Sequence, residues 1–209
     1  DNIEMAAALL ALHRSTGERK WLAAAAATGD FIARTFVDPR TGGFLASAAP
    51  DARHLPKPIK QREDNVAATR FFTLLAAYTG QARDRETAEA GMGYLASPPV
   101  IEAFAFLPDV LLAEEELRNE PVHVTVVGPR DDARSAALYA AALRYPLAYK
   151  RAEWWDKREG LLPNHDVDYP DFPEGPAAFA CTRNYCSLPV TDPAAIPAQL
   201  ERLQRALAR

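Results

Sequence analysis

Two stretches of this chain read as copies of one segment, and together they constrain the fold more than any single motif does. Asp1-Asn2-Ile3 through Thr16-Gly17 aligns with Asp64-Asn65-Val66 through Thr79-Gly80 at an offset of 63 residues, with no gap. In each copy an Asp-Asn pair opens an apolar helical run, and a Thr-Gly pair closes it about four turns later. A fixed period of this kind reports stacked helical hairpins, units that bury their apolar faces only against one another. Because Asp1 already sits at a repeat start, earlier repeats are expected outside these 209 residues.

The run Asn2 to Ser15 carries Ile3, Met5, Leu9, Leu10 and Leu12 with alanines between them, and is predicted to be buried on most sides. Gly17 suits a left-handed helix end, and beyond it Trp21, Ala25, Thr28, Ile32 and Phe36 recur at three-to-four spacing as a single stripe. The second copy repeats the contrast. Val66, Phe71, Phe72, Leu74, Leu75 and Tyr78 make a thickly apolar helix, and the charged run Arg83 to Leu95 keeps the narrow stripe Ala88, Met92 and Leu95. Alternating inner and outer helices is the pattern of an α/α toroid more than of a four-helix bundle. Between the hairpins, Asp38 to Glu63 contains Thr41-Gly42-Gly43-Phe44 and Pro56-Lys57-Pro58, and is expected to form a short hairpin or extended excursion on a rim. Pro98-Pro99 marks a break. Pro108 then separates a short helix near Ile101 to Phe106 from one over Pro108 to Arg118, with Glu114, Glu115 and Glu116 facing solvent.

The period changes at Pro121. Val122 to Val127 is a β-branched run, Gly128 leads through Pro129-Arg130-Asp131 into an alanine-rich helix over Asp132 to Arg144, and Tyr149 to Trp155 is extended again. This β-α-β order predicts parallel strands. A further strand near Ala178 to Thr182 and a last helix over Pro197 to Ala208, with Leu200, Leu203 and Leu207 on one face, complete a small βαββα subdomain. The expected fold is therefore mainly α: toroid-type hairpins over residues 1–120, then an α/β unit over 121–209.

With 48% apolar residues and a net charge of −4, the composition is that of a soluble globular chain with scattered basic residues, which recommends neither nucleic acid nor a membrane as partner. No apolar stretch reaches the roughly 20 residues of a spanning helix, so a cytoplasmic setting is the default expectation.

Asp1 and Asp64 occupy equivalent helix starts, where a carboxylate commonly accepts bonds from free backbone N–H groups. The competing reading places Glu63, Asp64 and Asn65, with Asp1 and Asn2, on the rim of a central pocket, Glu63 or Asp64 supplying acid or base chemistry and Asp1, Asn2 and Asn65 contacting a ligand. Cys181 and Cys186 lack the redox C-x-x-C spacing; a buried pair of small apolar residues is preferred, with a disulfide or reactive thiols as alternatives. His165, Asp166 and Asp168 show no metal-ligand spacing, so no metal is expected, and no cofactor is implied. Gly128 before a helix lacks any phosphate-binding motif. His123 reads as a satisfied core residue, and Trp154-Trp155 as packing.

The Asp-Asn starts, the Thr-Gly turns, Gly42-Gly43-Phe44, the Val126-Val127-Gly128 strand end, and above all Cys181-x-x-x-x-Cys186-Ser-Leu-Pro-Val-Thr-Asp192 resemble the C-terminal part of the YyaL-like, spermatogenesis-associated family of thioredoxin-domain proteins. The resemblance implies an (α/α)6 toroid similar to those of six-hairpin glycosidases and N-acylglucosamine 2-epimerases. It also implies that a thioredoxin-like domain and early hairpins are missing partners, their place otherwise taken by self-association. Relatives carry Pro-Ser-Gly-Asn where this chain has Arg62-Glu63-Asp64-Asn65, so only Asn65 is matched there. The expected function is a carbohydrate-related pocket that binds or isomerises a sugar-like molecule. The alternatives are a non-catalytic scaffold and a thiol-redox role for Cys181 and Cys186.

Overall fold

The apolar runs of the first half become six helices: α1 (Asn2–Thr16), α2 (Arg19–Phe36), α3 (Arg62–Thr79), α4 (Ala82–Leu95), α5 (Pro98–Ala103) and α6 (Pro108–Arg118). The second half adds β1 (Val122–Val127), α7 (Ala133–Arg144), β2 (Lys150–Trp155), β3 (Ala177–Thr182), β4 (Tyr185–Cys186) and α8 (Ile196–Leu207). The computed structural model describes residues 1–48, 58–104, 106–170, 172–182 and 185–207; Pro56 and Lys57 of the long loop, and Arg183 and Asn184 between the cysteines, lie outside them. The chain is thus mainly α with a small α/β part. It divides into two compact units, one of residues 1–11 with 19–119 and the other of residues 12–18 with 120–209.

In the first unit the core forms around α3. Phe71, Phe72, Leu75 and Tyr78 are buried together with Leu22, Ala25 and Ile32 of α2 and Ala88 of α4. Gly29 lets α2 come close, since a Cβ there would meet Leu75 Cδ2 at 3.1 Å. Gly80, at φ 68°, ends α3 in the left-handed conformation and donates its N–H to Ala76 O.

Four local expectations are corrected among α1 to α6. The first concerns α1, which is as apolar as α3 but sends only Ala6 and Leu10 fully into the core. Met5 and Leu12 stay 59% and 41% exposed, where their repeat counterparts Ala68 and Leu75 are 2% and 0% exposed. The periodicity registers apolarity and not the neighbours available to cover it. Second, α3 begins at Arg62 with extended Gln61 before it, so Asp64 is the third helical residue and not a cap. Third, α5 starts at Pro98 and ends at Ala103, because proline fits a first turn and Phe104 returns to extended backbone. Fourth, Glu116 does not face solvent: it is 5% exposed and accepts two bonds from Arg70 of α3, at 2.7 and 2.8 Å.

The second unit is a four-stranded sheet of order β2-β1-β3-β4. β1 and β2 run parallel, as the β-α-β order predicts, and β3 is antiparallel to β1 and to β4. Alternation along β1 sends Val122, Val124 and Val126 to the face covered by Leu138, Tyr139 and Ala142 of α7 and Ile196, Leu200 and Leu203 of α8. His123 and Thr125 face the other way, toward a layer made by Leu162, Tyr169, Phe179 and Cys181. Asp132 caps α7 by accepting from Arg134 N.

The far end of α7 is closed by Lys150, which is 4% exposed and donates to Ala142 O, Leu143 O and Tyr145 O at 2.9, 2.7 and 2.7 Å. Burial, reinforced by Arg14, pushes its ammonium down to about 8 from the ordinary 10.5. Replacing Lys150 with Met should therefore cost about 1–3 kcal/mol in urea unfolding, since three carbonyls lose their donor. The unfolded chain holds its proton to higher pH than the folded one, so native stability from this group rises between pH 8 and 10.5, and the gap to the variant should widen across that window.

Candidate functional site

The loop after α2 is folded by its own polar groups. Val37 bridges Phe44 in antiparallel fashion, and the Asp38 carboxylate accepts from Arg40 N at 3.0 Å and Thr41 Oγ1 at 2.6 Å while pairing with Lys60 Nζ at 3.0 Å. These bonds, that of Thr41 foremost, hold the Asp38 carboxyl well below the usual carboxylate range. Gly42 and Gly43 take φ of 64° and 70°, and a Cβ on Gly43 would lie 2.7 Å from both Asn65 Oδ1 and Tyr94. Glycine is required there by conformation and by space.

Asn65 fixes the end of this loop. It is fully buried; its Oδ1 accepts from Phe44 N at 2.6 Å, and its Nδ2 donates to Phe44 O at 2.9 Å and Gln61 O at 2.7 Å. Phe44 is thereby stacked on Phe72, with ring centroids 5.7 Å apart and planes 7° from parallel.

The outcome is a cavity of about 60 Å³ whose lining includes Asp1, Asn2, Asp64, Phe36, Phe44 and Ile32. The two repeat positions, Asp1 and Asp64, therefore face one space. Asn65 lies behind Phe44 with its amide spent on backbone, so its role is to hold the wall. Glu63 is not part of the lining; its side chain is 69% exposed and pairs with Arg62 at 2.7 Å. That hydrogen bond keeps its carboxyl below the ordinary value, which suits a surface ion pair and not a general acid.

The second unit holds a cluster that sequence reasoning missed, apart from His123 as a satisfied core residue. Glu153 is 1% exposed and is bonded by His123 Nε2 and Arg151 Nη2, both at 2.9 Å. Thr125 Oγ1 lies 2.9 Å from His123 Nε2 and 2.7 Å from the Tyr169 hydroxyl. Arg151 Nη1 reaches both Asp166 oxygens at 2.9 Å. Burial alone would lower the Arg151 pKa, but Glu153 and Asp166 outweigh it and raise the value; burial drives the Tyr169 phenol upward. Arg151 Nε and Glu153 Oε1 are buried without a hydrogen-bond partner among the described residues. The available signal was the period of two, which puts His123, Thr125, Arg151 and Glu153 on one sheet face.

Asp166 is committed to Arg151, and no group of three or more metal-ligating side chains occurs among the described residues. Nor does any described helix have the length and apolarity to cross a membrane. Cys181 and Cys186 are joined as a disulfide across β3 and β4, which corrects the preferred reading of two buried small residues: Cys181 is buried and Cys186 is exposed. Spacing alone could not show that the two residues sit opposite each other on paired strands. No family model and no curated protein sequence matches the chain.

Removing the Asn65 amide strands two buried groups of Phe44 at once. Asn65→Ala should cost about 2–4 kcal/mol and abolish hydrogen-exchange protection of the Phe44 N–H, whereas Asp64→Ala should stay within about 0.5 kcal/mol of wild type. Equal effects of the two substitutions would contradict the assigned roles.

Proposed function

We propose that the chain is the C-terminal part of a YyaL-like, thioredoxin-domain-containing protein, that its hairpins belong to an α/α toroid, and that the cavity beside Phe44 recognises a sugar-like ligand. The observation that carries this reading is the convergence of Asp1 and Asp64, one from each repeat, on a single space walled by Phe36 and Phe44. Carboxylates that accept from hydroxyl groups, set beside aromatic faces that cover C–H surface, suit a polyol. At about 60 Å³ the space is small, which suits contact with part of a sugar.

Two carboxylates on one cavity are also the minimum for moving a proton onto and off a sugar carbon or oxygen, one giving while the other takes. Of the two candidates, Asp64 lines the cavity and would take such a role, whereas Glu63 is outside the lining. In a toroid the exposed Met5 and Leu12 of α1 would meet an earlier hairpin, in the way that α2 covers Phe71 and Leu75 on α3.

Titration with monosaccharides and N-acylglucosamines, followed by ligand-observed NMR, tests the reading. Binding should fall about tenfold or more in Asp64→Asn, the loss of one charge-assisted hydrogen bond, and remain in Glu63→Gln. Absence of binding by every sugar, or equal binding by Asp64→Asn and wild type, would remove the proposal.

A further inference from the structure

The two sulfurs of the disulfide live in different surroundings. Cys181 is 0% exposed and packs in the cluster of Leu162, Tyr169 and Phe179, whereas Cys186 is exposed at the two-residue edge strand β4. A thiolate arriving from solvent therefore meets Cys186 Sγ, and Cys181 Sγ is left to depart. The register also sets Cys181 directly opposite His123 on β1, and opposed residues of an antiparallel pair project to the same face. The departing sulfur is thus delivered to the face that carries His123, Thr125, Glu153, Arg151 and Tyr169. There His123 is bonded to Glu153, whose second oxygen is a buried acceptor with no partner among the described residues. Such an orphan acceptor is rare enough to need an explanation, and a network that accommodates one more proton supplies it.

We propose that the Cys181–Cys186 bond is a thiol–disulfide exchange site for a low-molecular-weight thiol, with Cys186 as the attacked sulfur, Cys181 as the leaving sulfur and His123 as the group that protonates it. A thiolate RS⁻ forms the mixed disulfide RS–S on Cys186 while the Cys181–Cys186 bond breaks and its electron pair departs on Cys181 Sγ. That sulfur takes one proton through His123. A second RS⁻ attacks the R-side sulfur, releasing RSSR and leaving Cys186 to take up the second proton, so that two RSH are oxidised as one protein disulfide is reduced. A leaving thiol that is readily stabilised speeds exchange, which is the service the buried charged face performs. The site belongs to the second unit and stands independently of the cavity in the first.

The intact chain is incubated with millimolar reduced glutathione under native conditions, quenched by alkylation and read by intact mass and peptide mapping. The glutathione adduct is expected on Cys186 of the wild-type chain; with oxidised glutathione, whose own disulfide supplies the oxidant, the lone Cys186 thiol of Cys181→Ser should take up the adduct and the buried Cys181 of Cys186→Ser should not. His123→Gln should slow opening of the bond by about 100-fold when compared at equal thiolate concentration, the effect of removing a proton donor. A bond that opens only in denaturant, or an adduct carried by Cys181, would overturn the proposal even if His123→Gln failed to fold. An unchanged rate in a folded His123→Gln would remove the role of the imidazole.

Discussion

Burying a primary amide costs several kcal/mol unless its donors and acceptor are bonded, and Asn65 meets that condition with the two backbone groups of Phe44 and the carbonyl of Gln61. Much of the hairpin unit around the cavity depends on this arrangement. Of the two left-handed glycines, Gly43 lets the chain reach Asn65 without a clash and Gly42 lets it pass the Ala90 carbonyl, while Asp38 with Lys60 braces the approach. Gly91 of α4 leaves room for the same packing, since a Cβ there would run into Thr69 Oγ1 and lie 2.9 Å from Phe44 Cε2. The position of the cavity wall thus follows from a bonding requirement on one residue.

The legible part of this chain was the part governed by local periodicity. The four long helices of the first half, the helix after Pro108, and the β-α-β unit with its parallel pair all follow from spacing and from proline or glycine at the ends. Features that depend on a distant partner were not legible. Three consecutive glutamates look like a solvated face until Arg70, forty-six positions earlier, claims Glu116. Asn65 reads as a rim residue because nothing local says that Phe44 returns to it. Arg151, Glu153 and Tyr169 are ordinary surface types whose meeting depends on strand register and on a loop folding over the sheet. The cysteines could be judged only once β3 and β4 were paired.

The buried face of the sheet is unusual in its chemistry. An Arg and a Glu, 3% and 1% exposed, are costly to hold in the interior, and replacing such a pair with apolar residues is often neutral or stabilising. Their presence beside an imidazole, a threonine and a phenol makes this layer more polar than packing requires. The two units of the chain have thus met the demand for internal order differently: one with a single amide and backbone partners, the other with a charged cluster spanning two strands and a loop.

The strand order has a consequence for how this molecule can associate. The sheet ends on one side in β4, two residues long and tied to β3 by a covalent bond, with Val190 bridging Ala178 just beyond it. On the other side it ends in β2, whose Lys150, Arg151 and Glu153 are all turned inward and bonded. Short edges and inward charges are the devices by which β-proteins refuse a foreign strand. Both borders of the sheet thus carry features that disfavour the addition of a foreign strand.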